Sequence, residues 1–455
     1  MKNLSIENIT KACRGTFHGD ESILSQEVSG VVIDSRKVQP GYLFVAIDGE
    51  RVNAHKFIPD TVKAGAMCVV SHEDLGETDF PYILVESTGQ ALLDIAKLYR
   101  DSFDMKVVGI TGSVGKTSTK EMIASVLAQK YHVHKTLGNF NNEWGLPITI
   151  FDMPEDTEVA VLEMGVNHFG EMRRLSSVAS PDICVITNIG IAHLEFFKTR
   201  EGILQEKSQM IQDMKNGGSI ILNGDDDLLS KMSPVKGVTP VFFGMGDNCA
   251  FRADNIEPQG LRGTSCTITL KDGSSFDCLV PVPGIHMVSN AVAGAAVGYT
   301  LGLTADEIKA GIESLPSIPG RNHIIETDHM IILDDCYNAN PISMKASIDV
   351  LNMAIGRKVA VLGNMGELGD TEALHAEVGT YAAEQNVDLV CGIGDLTRSL
   401  VEEASKGANT EALWFADNES FIQAIPDIIK DGDNVLVKAS HGMNFPQIVH
   451  ALEEL

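Results

Sequence analysis

The chain has 455 residues, 44% of them hydrophobic and 21% charged, which is enough apolar side chain to build several cores without disulfides or structural metals. Its 62 acidic residues against 35 basic ones give a formal net charge of -27, a field that repels nucleic acid and anionic lipid. A phosphorylated small substrate needs a local basic patch or a bound cation on such a surface. At roughly 150 residues per domain, about three domains are expected. The eight cysteines form no CxxC pair and read as reduced thiols. The first residues lack the apolar run of a leader, and no stretch is apolar enough to span a bilayer. A cytoplasmic protein is expected.

Residues 1–104 read as a small α/β unit. The apolar runs at 42–47 and 67–70 predict strands, and the spacing over 91–100 predicts a helix. Residues 101–104 form a short linker. From 105 to 318 strands and helices alternate, with buried-type strands at 106–110, 159–162, 183–186 and 219–222. That alternation predicts a parallel sheet with helices on both faces. The stretch 240–280 reads instead as hairpins, turning at Lys271-Asp272-Gly273, either an insert or an extra edge. A Pro-containing break at 316–320 marks the next boundary. Beyond it, apolar runs at 331–333, 359–362, 389–391 and 434–437 alternate with helical segments, a second α/β domain.

The strongest local signal is Gly109-Ile110-Thr111-Gly112-Ser113-Val114-Gly115-Lys116-Thr117-Ser118, a strand running into a Gly-rich turn and then a helix. Glycines let backbone N–H groups converge on phosphate oxygens, and the helix N-terminus adds positive partial charge. Lys116 is placed for the outer phosphates and the Thr117 hydroxyl for Mg²⁺. The loop fits GxxGKT rather than the full GxxxxGK[ST] spacing. Glu163, at the end of the next strand, is placed to hold Mg²⁺, although a solvated strand-end Glu is the simpler reading of that residue alone. Asn188 and His193 follow the strand after it, where sites in open α/β sheets gather. Lys207, on a helix, reads by itself as a surface lysine.

Together these marks resemble the Mur ligase family over nearly the whole chain. The central ones are Thr111 to Thr117, Gly138-Asn139-Phe140-Asn141-Asn142-Glu143, Glu163-Met164-Gly165, and Thr187-Asn188-Ile189-Gly190 with Ala192-His193-Leu194-Glu195. Asp34-Ser35-Arg36 and Pro40-Gly41 carry it at the N-terminal end. Asp334-Asp335-Cys336-Tyr337-Asn338-Ala339-Asn340-Pro341 carries it at the C-terminal end, in the version found in D-Ala-D-Ala-adding members. The resemblance implies a small α/β domain over 1–104 for the UDP-sugar end of a substrate. It implies a central parallel-sheet P-loop ATPase domain over 105–318, and a Rossmann-like α/β domain over 319–455 for ATP and the amine. The implied reaction is ATP-dependent amide ligation through an acyl phosphate, joining D-Ala-D-Ala to UDP-MurNAc-tripeptide in peptidoglycan precursor synthesis. The implied partners are those two substrates, with no nucleic acid, no membrane insertion and a monomeric chain.

The resemblance also implies residue roles. Gly112, Ser113, Gly115, Lys116, Thr117 and Ser118 hold the phosphates, Asn290 the adenine, Arg321 a phosphate and Asp335 the ribose. Two Mg²⁺ ions fall to Thr117, Glu163, His193 and a carbamylated Lys207, with Lys116, Lys207 and His193 as the catalytic set. Ser35, Arg36, Asn139, Asn142, Tyr337, Asn338 and Asn340 fall to the substrates. The family pattern is broken at Asn53-Ala54-His55, Gln209, Met287, Asn364, His441 and Pro446. Two other readings stay open at this stage. One is a related ligase with a different amine or acceptor; the other is a nucleotide-binding paralogue without ligase activity, which the substitutions at Asn364 and His441 motivate.

Overall fold

Short β-branched and aliphatic runs become the strands of three separate sheets. The computed structural model describes residues 1–49, 52–190, 194–366 and 371–455. The first sheet has five strands in the order Thr16–His18, Tyr82–Leu84, Cys68–Ser71, Tyr42–Val45, Gly30–Val32, antiparallel only at its first pair. The second has nine strands. Its parallel part runs Val133–Lys135, Val159–Glu163, Lys106–Thr111, Ile183–Ile186, Ser219–Asn223, Val241–Gly244, Phe251–Pro258. Thr264–Thr269 and Ser275–Val280 then extend it antiparallel. The hairpin signals at 240–280 thus mark an added edge of the main sheet, not a separate insert. The third sheet has six strands, parallel except for the His323–Glu326 hairpin edge. The architecture is a three-domain α/β fold.

The inner parallel strands of the central sheet are buried on both faces, as their continuous apolar character requires. Val159–Glu163 is buried along its whole length, and Lys106–Thr111 everywhere but its first residue. The first domain is joined to the second by the helix Thr88–Arg100. Its Leu92, Ile95, Ala96 and Tyr99 share one apolar cluster with Leu146, Ile150, Leu175 and Val178. Arg100, 4% exposed, donates from Nε to the Ala179 carbonyl and from Nη2 to the Ser180 carbonyl, both at 2.9 Å. These satisfy the open C-terminal end of the helix Glu171–Ala179, which has no intrahelical donors for its last carbonyls.

Candidate active site

The C-terminal ends of the central strands open onto one cleft of about 1540 Å³, walled by the phosphate loop, by 139–144, by 163–168, by 187–190 and by residues of the third domain. Ligands in open α/β sheets gather at this end of the strands. The loop is held in shape from the neighbouring strand. Ser113 N donates to the Asn188 carbonyl at 3.0 Å and Val114 N to Asn188 Oδ1 at 2.9 Å. Thr187 Oγ1 and Asn188 Nδ2 both donate to the Val114 carbonyl, at 2.7 and 2.9 Å, and Gly190 N donates to Ser113 Oγ at 2.9 Å. Gly115 takes a left-handed φ of 78° at the N-cap of the helix Lys116–Leu127, with no side-chain cap hydrogen bond. The first-turn amides therefore face the cleft, the arrangement that binds an anion. Lys116 Nζ donates to the Gly112 carbonyl at 2.9 Å, folded back along the loop. Ser118, half-buried, joins the same wall.

Glu163 is 1% exposed at its strand's tip. Its Oε1 accepts from Asn141 Nδ2 at 2.7 Å, while Oε2 is buried with no hydrogen-bond partner. Lys120 Nζ lies 3.9 Å from that oxygen, but donates instead to the Thr136 carbonyl at 2.6 Å and pairs with Glu121 at 3.0 Å. A buried carboxylate oxygen left open beside the Thr117 hydroxyl's loop fits a hard divalent cation. Asn141 is named in the sequence reading only as part of its motif, without a role, and Lys120 is missed there. Lys120 had a signal, since it lies one turn after Lys116 on the apolar face of that helix.

Lys207 is not on the surface. It is 1% exposed at the end of the helix Arg200–Ser208, and the turn is fixed by its neighbour Glu206. Glu206, itself buried, accepts from Gly170 N at 3.0 Å and Met172 N at 2.8 Å, capping the helix Glu171–Ala179. Desolvation first, and the nearby Lys116 second, hold the Lys207 amine well below the ordinary lysine value, against the weaker opposing pull of Glu206. His193 lies outside the described residues.

The third domain closes the cleft. Arg321 Nη2 donates to Thr117 Oγ1 at 3.0 Å, and its guanidinium lies 3.8 Å from the centre of the Tyr337 ring. Asp335 is held at Oδ2 by Lys438 Nζ and Ser347 Oγ, both at 2.5 Å, and at Oδ1 by the Asn322 amide at 3.2 Å. Asn290 faces the loop from the helix Ile285–Thr300, where its Oδ1 accepts from Thr119 Oγ1 at 2.9 Å and its Nδ2 reaches Met287 Sδ. Asn340 caps the helix Pro341–Asn352 through Ser343, and Asn142 Oδ1 caps Gly145–Phe151. Asn139 and Asn338 line the cleft. Ser35 and Arg36 do not; Arg36 lies on an exposed turn, forked onto Asp34 at 2.9 and 2.8 Å. Asn364 and His441 are likewise off the cleft wall, the latter with its ring 5.5 Å from Tyr337.

Comparison with known proteins follows the same lines. Family models match at residues 27–100 (Mur ligase family, catalytic domain), 110–298 (Mur ligase middle domain) and 320–441 (Mur ligase, glutamate ligase domain). The chain is 36% identical to UDP-N-acetylmuramoyl-tripeptide–D-alanyl-D-alanine ligase of Bacillus subtilis, covering all of this chain and 99% of that one. It is 34% identical to the Escherichia coli protein of the same name, again over 100% and 99%. Among solved structures, MurF of Acinetobacter baumannii superposes with a TM-score of 0.91 over 99% of both chains at 29% identity. MurF of Thermotoga maritima in complex with ADP gives 0.84 at 31% identity, over 93% of this chain and 97% of that one.

Proposed function

The chain belongs to the Mur ligase family, and we propose that it joins D-alanyl-D-alanine to UDP-N-acetylmuramoyl-tripeptide, the two substrates its full-length relatives are named for, at the expense of ATP. One observation supports a phosphoryl-transfer chemistry most directly. Arg321 reaches across from the third domain to the Thr117 hydroxyl, so a cation, a phosphate loop and a helix N-terminus converge on one point.

A carboxylate is a poor electrophile. Transfer of the γ-phosphoryl group of ATP onto the acceptor's terminal carboxylate makes an acyl phosphate, with ADP leaving. The neutral dipeptide amine then attacks the acyl carbon, the C–N bond forms, and phosphate departs carrying the proton that the amine gives up. In this reading Gly112, Ser113, Gly115 and Ser118 cradle the phosphates by backbone and hydroxyl, and Lys116 moves from the Gly112 carbonyl to the outer phosphates. Arg321 takes up charge on the transferred group. Asn290 and Asp335 serve adenine and ribose. Thr117, Glu163 and His193 would hold Mg²⁺, which neutralises phosphate charge when bound. A Lys207 amine kept neutral by burial is competent to add to CO₂, losing one proton to give a carbamate that would serve a second Mg²⁺. Asn139, Asn142, Tyr337, Asn338 and Asn340 face the two peptides, and Ser35 with Arg36 serve the UDP-sugar end. Closure of the third domain keeps water from the acyl phosphate.

The test is phosphate release from Mg-ATP and UDP-MurNAc-tripeptide, with and without D-Ala-D-Ala. Dipeptide-dependent release with the matching mass increase of the nucleotide product is the expected result. Release driven by a different amine, or ATP binding with no turnover under any pairing, removes this reading.

A further inference from the structure

Outside the cleft lining, the first domain gathers a different set of metal-ligating side chains. His55 sits in the turn Ala54–Phe57, and His72 with Glu73 follow the strand Cys68–Ser71. Each offers one ligand atom, and the three atoms lie within 4.8 Å of one another. His55 is 7% exposed. Its Nδ1 is 2.8 Å from Asn53 Oδ1, an oxygen that also accepts from the His55 backbone N–H at 2.8 Å. An amide oxygen cannot donate, so the ring must donate through Nδ1–H. The lone pair therefore stands on Nε2, which is buried and has no hydrogen-bond partner. A buried acceptor without a partner calls for an explanation, and a bound ion is one. Asn53 also donates from Nδ2 to Glu73 Oε1 at 3.3 Å, so one side chain orients two of the three groups. The His72 ring stands edge-on to His55 at 4.4 Å.

We propose that His55, His72 and Glu73 form a binding site for a zinc-class divalent cation, separate from the nucleotide cleft. Two imidazoles and one carboxylate, completed by water, suit a borderline metal better than Mg²⁺, which prefers oxygen donors. Asn53 plays the part of the outer partner that fixes the tautomer of a ligating histidine. Donors around a tetrahedral zinc stand about 3.3 Å apart, so His72 and the exposed Glu73 rotate inward on binding. Asn53 also bridges back to Asp48, which lines the cleft, so the metal braces the cleft's rim from behind.

The experiment titrates the full-length protein with Co²⁺ in the presence of saturating Mg-ATP, which occupies the nucleotide site. Wild type is expected to bind about one equivalent with the intense visible absorption of a low-coordinate nitrogen–oxygen site, bleached by Zn²⁺. His72→Ala is expected to lose that band and about 100-fold in Zn²⁺ affinity, and Asn53→Ala to lose about 10–100-fold. His72 is only half-buried, and a melt in EDTA matching wild type establishes that the variant is folded. Identical cobalt spectra and stoichiometry in wild type and His72→Ala overturn the proposal, as does a wild type that shows no visible band at all.

Discussion

Desolvation penalises an ammonium, so a lysine removed from water gives up its proton more readily than one at the surface. Lys207 is in that position, with Lys116 adding to the effect. Between its depressed folded value and the ordinary 10.5, the unfolded chain holds a proton at this site that the folded chain does not. Stability therefore rises with pH through that window, and the penalty is fully present below it. In carbonate-free buffer, Lys207→Met should be more stable than wild type at low pH, by about 1–3 kcal/mol, with the gap closing toward pH 10.5. Urea melts across pH read this out; a gap that widens with pH contradicts a neutral buried amine. The same variant should lose ligase turnover. Glu163 makes the companion case. Glu163→Gln keeps the Asn141 contact possible but removes the charge at the open oxygen, and should raise the Mg²⁺ concentration for half-maximal activity at least about tenfold, corresponding to one lost charge-assisted ligand. A magnesium titration of initial rates that overlays wild type would take Glu163 out of the metal site. Neither burial was legible in the sequence. Lys207 looks like any helix lysine until Glu206 is seen capping a neighbouring helix 34–36 residues away in the chain, a contact no local pattern encodes.

Local order carried much more. The strand, the Gly-rich turn and the helix Lys116–Leu127 are contiguous, so hydrophobic run, glycines and helix start all fall within one reading window. The added edge of the central sheet was legible as hairpins but not as part of that sheet, because pairing partners far apart in sequence decide sheet membership. What the pattern also could not give is how tightly the turn meets its neighbour. A Cβ on Gly112 would stand 1.9 Å from Thr187 Oγ1, whereas one on Gly115 would meet nothing nearer than Asn290 Oδ1 at 3.7 Å. The two glycines therefore fail differently. Gly112→Ala adds to the strain of its positive φ of 155° the need to push Thr187 away, breaking its bond to the Val114 carbonyl and deforming the loop, at about 1–3 kcal/mol of overpacking. Gly115→Ala bears only the left-handed backbone strain of about 1–2 kcal/mol. Calorimetric ATP titration should show a loss of more than tenfold for Gly112→Ala and a smaller loss for Gly115→Ala. Equal affinities for both variants would mean that the Thr187 contact does not shape the loop.

At the scale of the molecule, the joints between the three domains differ in kind. The first two domains share one apolar cluster and the buried Arg100 cap, a joint with little freedom. The third domain is tied across the cleft by polar contacts, including Arg321 to Thr117 and Asn322 to His286 at 2.8 Å. Polar seams of this kind exchange partners readily, because water or a ligand can replace each bond. Here the exchange is built in. Thr117 Oγ1 is engaged by Arg321; under the proposed function the same oxygen would serve a cation beside the phosphates, so nucleotide binding would compete with the Arg321–Thr117 bond. Under the same proposal Arg321, stacked on Tyr337, would turn onto the transferred phosphoryl group once released. Removing it should therefore act on the chemical step rather than on binding. Arg321→Ala is expected to lower kcat by about 10²–10³. Its KM for ATP should stay unchanged or fall, since a competitor for Thr117 is gone. Steady-state kinetics at saturating D-Ala-D-Ala separates the two parameters. A rise in KM with kcat preserved would instead make Arg321 a ground-state anchor, and the closing motion of the third domain would lose its catalytic rationale.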